Sequence, residues 1–249
     1  MLIIPAIDLK NGKCVRLKQG RMYKTTDYGD PLKVVQRFVK IGIKRLHVID
    51  LNGAVLGEPV NKYIINKLIK HYPNLILQIG GGIRNSATIK KYLDVGIKYV
   101  IIGTLAIKKP HRLYNLCKKF GKHIILSIDS YKGYVAIDGW KKIANIKSTE
   151  LAKNVSNCGI SSIIYTDISR DGMMQGLNLK KTIKLANFAK IPIIASGGLN
   201  NVFDIVNLKT NKNTFILGTI IGRAFYEGKI DLYKALLILN NKKNRFYFI

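Results

Sequence analysis

Short runs of apolar residues rich in Ile and Val recur along the chain at Leu2–Ile7, Arg45–Ile49, Leu75–Ile79, Tyr99–Ile102, Ile124–Ile128, Ser162–Tyr165, Ile191–Ala195 and Phe215–Ile221. Near-continuous apolar character marks strands covered on both faces, as in a parallel sheet. Between the runs, apolar positions fall three or four residues apart, as at Leu32, Val35, Phe38 and Val39 or at Ile89, Tyr92 and Leu93, the spacing of a helix with one buried stripe. Asp30-Pro31, Glu58-Pro59 and Lys109-Pro110 signal helix starts, because proline suits the first helical position, while Gly42, Gly96 and Gly159 stand where helices end. Strand–helix alternation repeated eight times within 249 residues predicts an α/β fold closed as a (β/α)8 TIM barrel rather than an open sheet.

The two halves of the chain carry matching signatures just after their strands. Ala6-Ile7-Asp8 followed by Gly12 parallels Ser127-Ile128-Asp129 followed by Gly133, a shift of 121 positions. Asn52-Gly53 parallels Asp171-Gly172, Gly81-Gly82-Ile83 parallels Gly197-Gly198-Leu199, and Gly103-Thr104 parallels Gly222-Arg223, with shifts of 119, 116 and 119. Ordered repeats at near-constant separation predict two tandem (βα)4 half-barrels, residues 1–121 and 122–240, forming one domain over 1–240 with a basic, aromatic tail at 241–249.

A chain of this length with 47% hydrophobic residues buries roughly 70–75% of its unfolded surface as one domain. No apolar run reaches the roughly 18 residues of a membrane span and no leader is visible, so a cytoplasmic protein with no membrane partner is expected. Cys14, Cys117 and Cys158 are odd in number and widely spaced, which fits neither a disulfide framework nor a zinc site. The 42 Lys and Arg against 14 Asp and Glu give +28, but the basic residues are spread over every predicted helix and no nucleic-acid motif accompanies them. Compositional drift explains that charge better than a specific nucleic-acid partner does. A basic polyanion-binding barrel is the non-enzymatic alternative.

In such barrels the loops after the strands form the active face, and every repeated signature lies there. Asp8 and Asp129 end symmetry-related strands and so face each other across the mouth, where two carboxylates in different environments serve as acid and base. Gly81 and Gly82 with Gly103 and Thr104, and Gly197 and Gly198 with Gly222 and Arg223, leave backbone N–H groups unobstructed and predict two phosphate cradles, hence a substrate phosphorylated at both ends. Arg16 and Arg84 are candidates to neutralise phosphate. Trp140, the only tryptophan, lies in a loop expected over Ser130–Lys142 and is placed to stack on a flat heterocycle. His47 is read either as lining the mouth or as a satisfied interior histidine.

These residues resemble one family, the phosphoribosylformimino-aminoimidazole-carboxamide ribotide isomerases of histidine biosynthesis. The resemblance runs from Met1 to about Leu239. It rests on Ile4-Pro5-Ala6-Ile7-Asp8, Val15-Arg16-Leu17-Lys18-Gln19-Gly20, Gly80-Gly81-Gly82-Ile83-Arg84, Gly139-Trp140, Thr166 through Gly172, Ser196-Gly197-Gly198, and Gly222 through Gly228. It implies an Amadori rearrangement without metal or cofactor, with Asp8 the proton acceptor and Asp129 the proton donor. It also implies that Thr166 and Asp171 position the ribose, that Gly172 belongs to the phosphate-binding set, that Trp140 stacks on the carboxamide-imidazole, and that Arg16 sits on a loop that closes the site. A monomer acting on a small bis-phosphorylated molecule is expected.

Met173 stands where the family usually has Thr, and residues 240–249 match no family segment. Two enzymatic alternatives share the paired aspartates. One is the paralogous cyclase of imidazole glycerol phosphate synthase, disfavoured by Val15–Gly20 and Gly139-Trp140; the other is a dual-substrate isomerase that also takes phosphoribosyl anthranilate.

Overall fold

A computed structural model describes residues 1–18, 21–211 and 213–240. Eight strands, Leu2–Lys10, Arg45–Asp50, Ile76–Gly80, Tyr99–Ile102, Ile124–Tyr131, Ser162–Asp167, Ile193–Ser196 and Ile216–Ile221, pair in parallel with their neighbours in chain order. The eighth also pairs with the first, Leu2 opposite Gly218 through Pro5 opposite Ile221, so the sheet closes on itself. Helices lie between successive strands, and the fold is a (β/α)8 barrel.

Strand period decides which side chains fill the inside. On the first strand Ile4 and Ala6 point inward, where they meet Ile101, Ile125, Ile164, Ile194 and Ile220 in a small closed cluster. Ile3, Ile7 and Leu9 point outward into the larger core beneath the helices. The helix Pro31–Ile41 illustrates how each outer element is specified. Asp30 caps it by accepting from Leu32 N at 2.8 Å, Pro31 opens it, and Gly42 closes it in the left-handed conformation. Val34, Val35 and Phe38 form its buried face, and Phe38→Ala there costs about 3–5 kcal/mol.

Several boundaries differ from those read in the pattern. The first and fifth strands run on past their apolar cores and lead into antiparallel partners: Lys13–Lys18 with Arg21–Gly29, and Tyr134–Ile137 with Lys142–Lys147. The segment after the fifth strand is therefore a hairpin rather than a loop; its first strand buries Val135 and Ala136, whereas its second is half-buried at most and alternates toward solvent. No helix starts at Pro59. The Asp50 carboxylate accepts from Val60 N and Asn61 N and holds that stretch as a turn, so the helix begins at Lys62. The helix Ser148–Asn154 stops four residues before Cys158 and well before Gly159. Gln19, Gly20 and the tail 241–249 lie outside the described residues. Among the described residues no helix is long and apolar enough to cross a membrane.

Candidate active site

The inward alternation that places Ile4 and Ala6 in the barrel interior places Asp8 at its mouth, and on the fifth strand the same rule sets Ile125, Ser127 and Asp129 on one face. Three strands lie between the first and the fifth in either direction around the ring of eight, so the carboxylates stand on opposite walls. Their surroundings differ. Arg16, carried back over the mouth by the strand Lys13–Lys18, donates from Nη1 to Asp8 Oδ2 at 3.2 Å and brings Nη2 to 3.9 Å from Asp171 Oδ1. Among the described residues Asp129 has only neutral donors: Trp140 Nε1 at 2.9 Å, Ser127 Oγ at 3.1 Å, and Thr166, its register partner on the sixth strand.

Burial pushes both carboxyls above the ordinary value of 3.8. At Asp8 the Arg16 guanidinium opposes the rise and the Asp171 charge adds to it. At Asp129 the bonds from Trp140, Ser127 and Thr166 oppose it, and Asp171 again adds. One carboxylate, Asp171, thus acts electrically on both.

The two Gly-Gly pairs each have a specific packing reason. Gly81 and Gly82 have φ of +103° and +74°, and a Cβ on Gly81 would strike the Asp50 carbonyl while one on Gly82 would lie 2.6 Å from the Glu58 backbone. The partner pair repeats this: Gly197 lies against the Asp167 backbone and Gly198 against Gly176 and the Arg170 side chain. These four glycines let one loop lie on the next, a demand additional to any approach of phosphate. Gly103 and Gly222 precede the short helices Thr104–Lys108 and Arg223–Tyr226. Thr104 Oγ1 accepts from Asp138 N at 3.0 Å, and Asp138 is also paired with Lys108 at 2.7 Å, which ties the Gly103-Thr104 loop to the turn bearing Trp140. On the opposite side Arg223 donates to the Gly172 carbonyl at 2.7 Å. Arg16 leans onto Gly222, and the cleft bounded by Asp171, Gly172, Ser196, Gly197 and Arg223 is narrow, about 20 Å³.

Arg84, an expected phosphate partner, instead lies over Gly57. His47 is inside the barrel, with Nδ1 2.8 Å from Gln78 Nε2. Ser127 entered the sequence reading only as part of the repeat and was given no role at the site, although its place two residues before Asp129 puts it on the same inward face. So did the rim carboxylates. Asp50 accepts from Gly53 N, Val60 N, Asn61 N and Asn61 Nδ2. Asp167, 117 positions on, accepts from Ser169 N, Ser169 Oγ and Asn178 Nδ2. Among the described residues no His, Cys, Asp or Glu side chains gather in the number a metal ion needs. A larger hollow of about 390 Å³, lined by Ile107, Tyr114, Ile146 and Cys158, lies on the barrel flank and takes in none of these groups.

A family model described as "Histidine biosynthesis protein" matches residues 2–231. A 1-(5-phosphoribosyl)-5-((5-phosphoribosylamino)methylideneamino)imidazole-4-carboxamide isomerase from Marinobacter nauticus is 51% identical over 245 residues, 98% of this chain and 100% of its own length. Proteins of the same name from Acinetobacter baumannii and Acinetobacter baylyi are 50% and 51% identical over 244 and 241 residues, covering 98% and 96% of this chain and 100% and 98% of their own.

Proposed function

Because this chain belongs to the histidine biosynthesis protein family, we propose that it is the isomerase that converts the bis-phosphorylated aminoaldose named in its relatives to the corresponding aminoketose. The observation that carries this reading is the unequal pair of carboxylates on opposite walls of one mouth. Asp8 has a cation beside it that favours its ionised form, which suits a base. Among the described residues Asp129 has neutral donors alone, which suits an acid that must hold its proton.

Asp129 protonates the ribose ring oxygen. The C1–O bond breaks, and the nitrogen lone pair forms a protonated Schiff base at C1. Asp8 then takes the proton from C2, and the electrons of that C–H bond form the C1–C2 double bond of an enolamine while the iminium nitrogen is neutralised. Loss of the C2 hydroxyl proton with protonation of C1 gives the ketone, so the step is redox-neutral overall and needs no external electron acceptor. Thr166 and Asp171 position the ribose, and Trp140 covers the heterocycle. The loops of Gly81, Gly82, Gly103 and Thr104 hold one phosphate, those of Gly172, Gly197, Gly198, Gly222 and Arg223 hold the other, and Arg16 closes over the second. The enzyme acts as a monomer in the cytoplasm, without a nucleic-acid or membrane partner.

The deciding experiment is turnover of the aminoaldose by purified protein with and without chelator. Conversion to the aminoketose at an unchanged rate is expected, and absence of conversion overturns the reading. Phosphoribosyl anthranilate assayed alongside separates a single-substrate from a dual-substrate isomerase.

A further inference from the structure

Three inward-facing polar residues form a chain inside the barrel that the reaction scheme above does not use. Arg45 opens the second strand, stacks its guanidinium 4.2 Å from the centre of the Tyr99 ring, and donates from Nε to Gln78 Oε1 at 2.7 Å. Gln78 Nε2 lies 2.8 Å from His47 Nδ1, and the two residues are register partners on adjacent strands. The direction of each bond follows from the first. An arginine only donates, so the Gln78 oxygen must face Arg45 and its NH2 must face His47. That leaves His47 Nδ1 as an acceptor and puts the ring proton on Nε2.

The position of the ring gives that proton a use. His47 pairs in register with Ala6, and the next inward residue of the first strand toward the mouth is Asp8. Gln78 is closed off completely, whereas His47 keeps 9% of its surface. No bond from any described residue occupies Nε2. We infer that Gln78, oriented by Arg45, is a positioning residue that holds His47 as a neutral ring with its Nε2–H offered to the substrate beneath Asp8. Burial, with the charges of Arg16 and Arg45, drives the His47 pKa down to about 3, so this donor persists unchanged across the working range of the acid and base. A charged ring there would compete with Arg16 for Asp8. The substrate contact rests on the proposed isomerase activity; the tautomer does not.

Two measurements test the inference. Long-range proton–nitrogen NMR of the labelled parent protein is expected to show His47 with a bare Nδ1 and a protonated Nε2, uncharged between about pH 6 and 8, where a free histidine titrates. A ring protonated on Nδ1, or doubly protonated, overturns it. In kinetics, Gln78→Met and His47→Ala are each expected to lower kcat/KM about tenfold, the order of one hydrogen bond, and the double variant to lose no more than His47→Ala alone. Additive losses, or a folded Gln78→Met enzyme with parental kcat/KM, overturn the positioning role. If Gln78→Met does not fold, the parent spectrum and His47→Ala still decide the matter. A parent with the expected spectrum but no turnover would fail the functional reading and leave the tautomer standing.

Discussion

Trp140 donates its indole N–H to the Asp129 carboxylate across 2.9 Å, so the aromatic expected only to cover a heterocycle also acts on the carboxyl proposed as the acid. Burial raises the Asp129 pKa, and the Trp140 bond is foremost among the groups holding it back. Trp140→Phe keeps a ring and removes the donor. The Asp129 pKa then climbs, the acid stays protonated to higher pH, and the alkaline limb of the kcat/KM profile moves up. An alkaline limb that stays in place or moves down would show that this bond does not tune the acid.

Arg16 plays the corresponding part for Asp8, the proposed base. Its charge and its bond to Asp8 counter the rise that burial causes. In Arg16→Gln the Asp8 pKa rises further, the base ionises only at higher pH, and the acidic limb of kcat/KM moves up while the alkaline limb stays. The pH profile of the purified variant checks this, and an acidic limb unmoved from the parent's counts against the pairing.

Asp8→Asn and Asp129→Asn each remove proton transfer with little change of shape. A fall in kcat of roughly 10²–10⁴-fold is expected for either, with a much smaller change in KM. Folded protein that keeps more than about a tenth of parental kcat would dismiss the residue concerned.

The same carboxyls bear on stability. Both folded pKa values lie above the ordinary 3.8, so the contribution of these two carboxyls to stability is fully present below that value and is lost as pH rises through the folded values. Asn at position 129 escapes its share of that loss. Melting of Asp129→Asn against the parent should therefore shift in the variant's favour from pH about 4 to 7, and a shift the other way would contradict the raised pKa.

The rim supplies a structural prediction. Asp50 is fully buried and collects four hydrogen bonds from Gly53, Val60 and Asn61. Asp50→Ala leaves those donors facing a void, and at about 1–3 kcal/mol for each one stranded the loss of stability should exceed about 3 kcal/mol. Denaturant titration measures it, and a loss under about 1 kcal/mol would mean that water replaces the carboxylate at little cost.

The eight barrel strands were legible because burial on both faces leaves an uninterrupted apolar signature, and Tyr99–Ile102 coincides at both ends with the observed strand. The hairpins after the first and fifth strands were not, since one face of each meets solvent and residues such as Lys142 and Lys147 read as loop. Asp8 and Asp129 could be found from repetition alone. Arg16 and Trp140 were also legible as site residues, but two quieter members were not: Ser127 is an ordinary small residue until the pleat turns it toward Asp129, and Gln78 gains its meaning from Arg45, 33 positions away in sequence. The glycine loops were legible as loops that leave the backbone bare, but the carbonyls of Asp50 and Asp167 that press against Gly81 and Gly197 come from neighbouring strands.

The two rim networks draw their partners from their own stretch of chain: Asp50 from residues 53 to 61, and Asp167 from residues 169 to 178 apart from an exposed Lys181 at 3.8 Å. Each therefore stands without help from the other side of the mouth. Mutational drift that reshapes one rim leaves the opposite rim's supports untouched, and a new substrate end can be accommodated on one side while the other keeps its old grip. Modularity of this kind makes a barrel of paired halves open to gradual change of specificity, one side at a time.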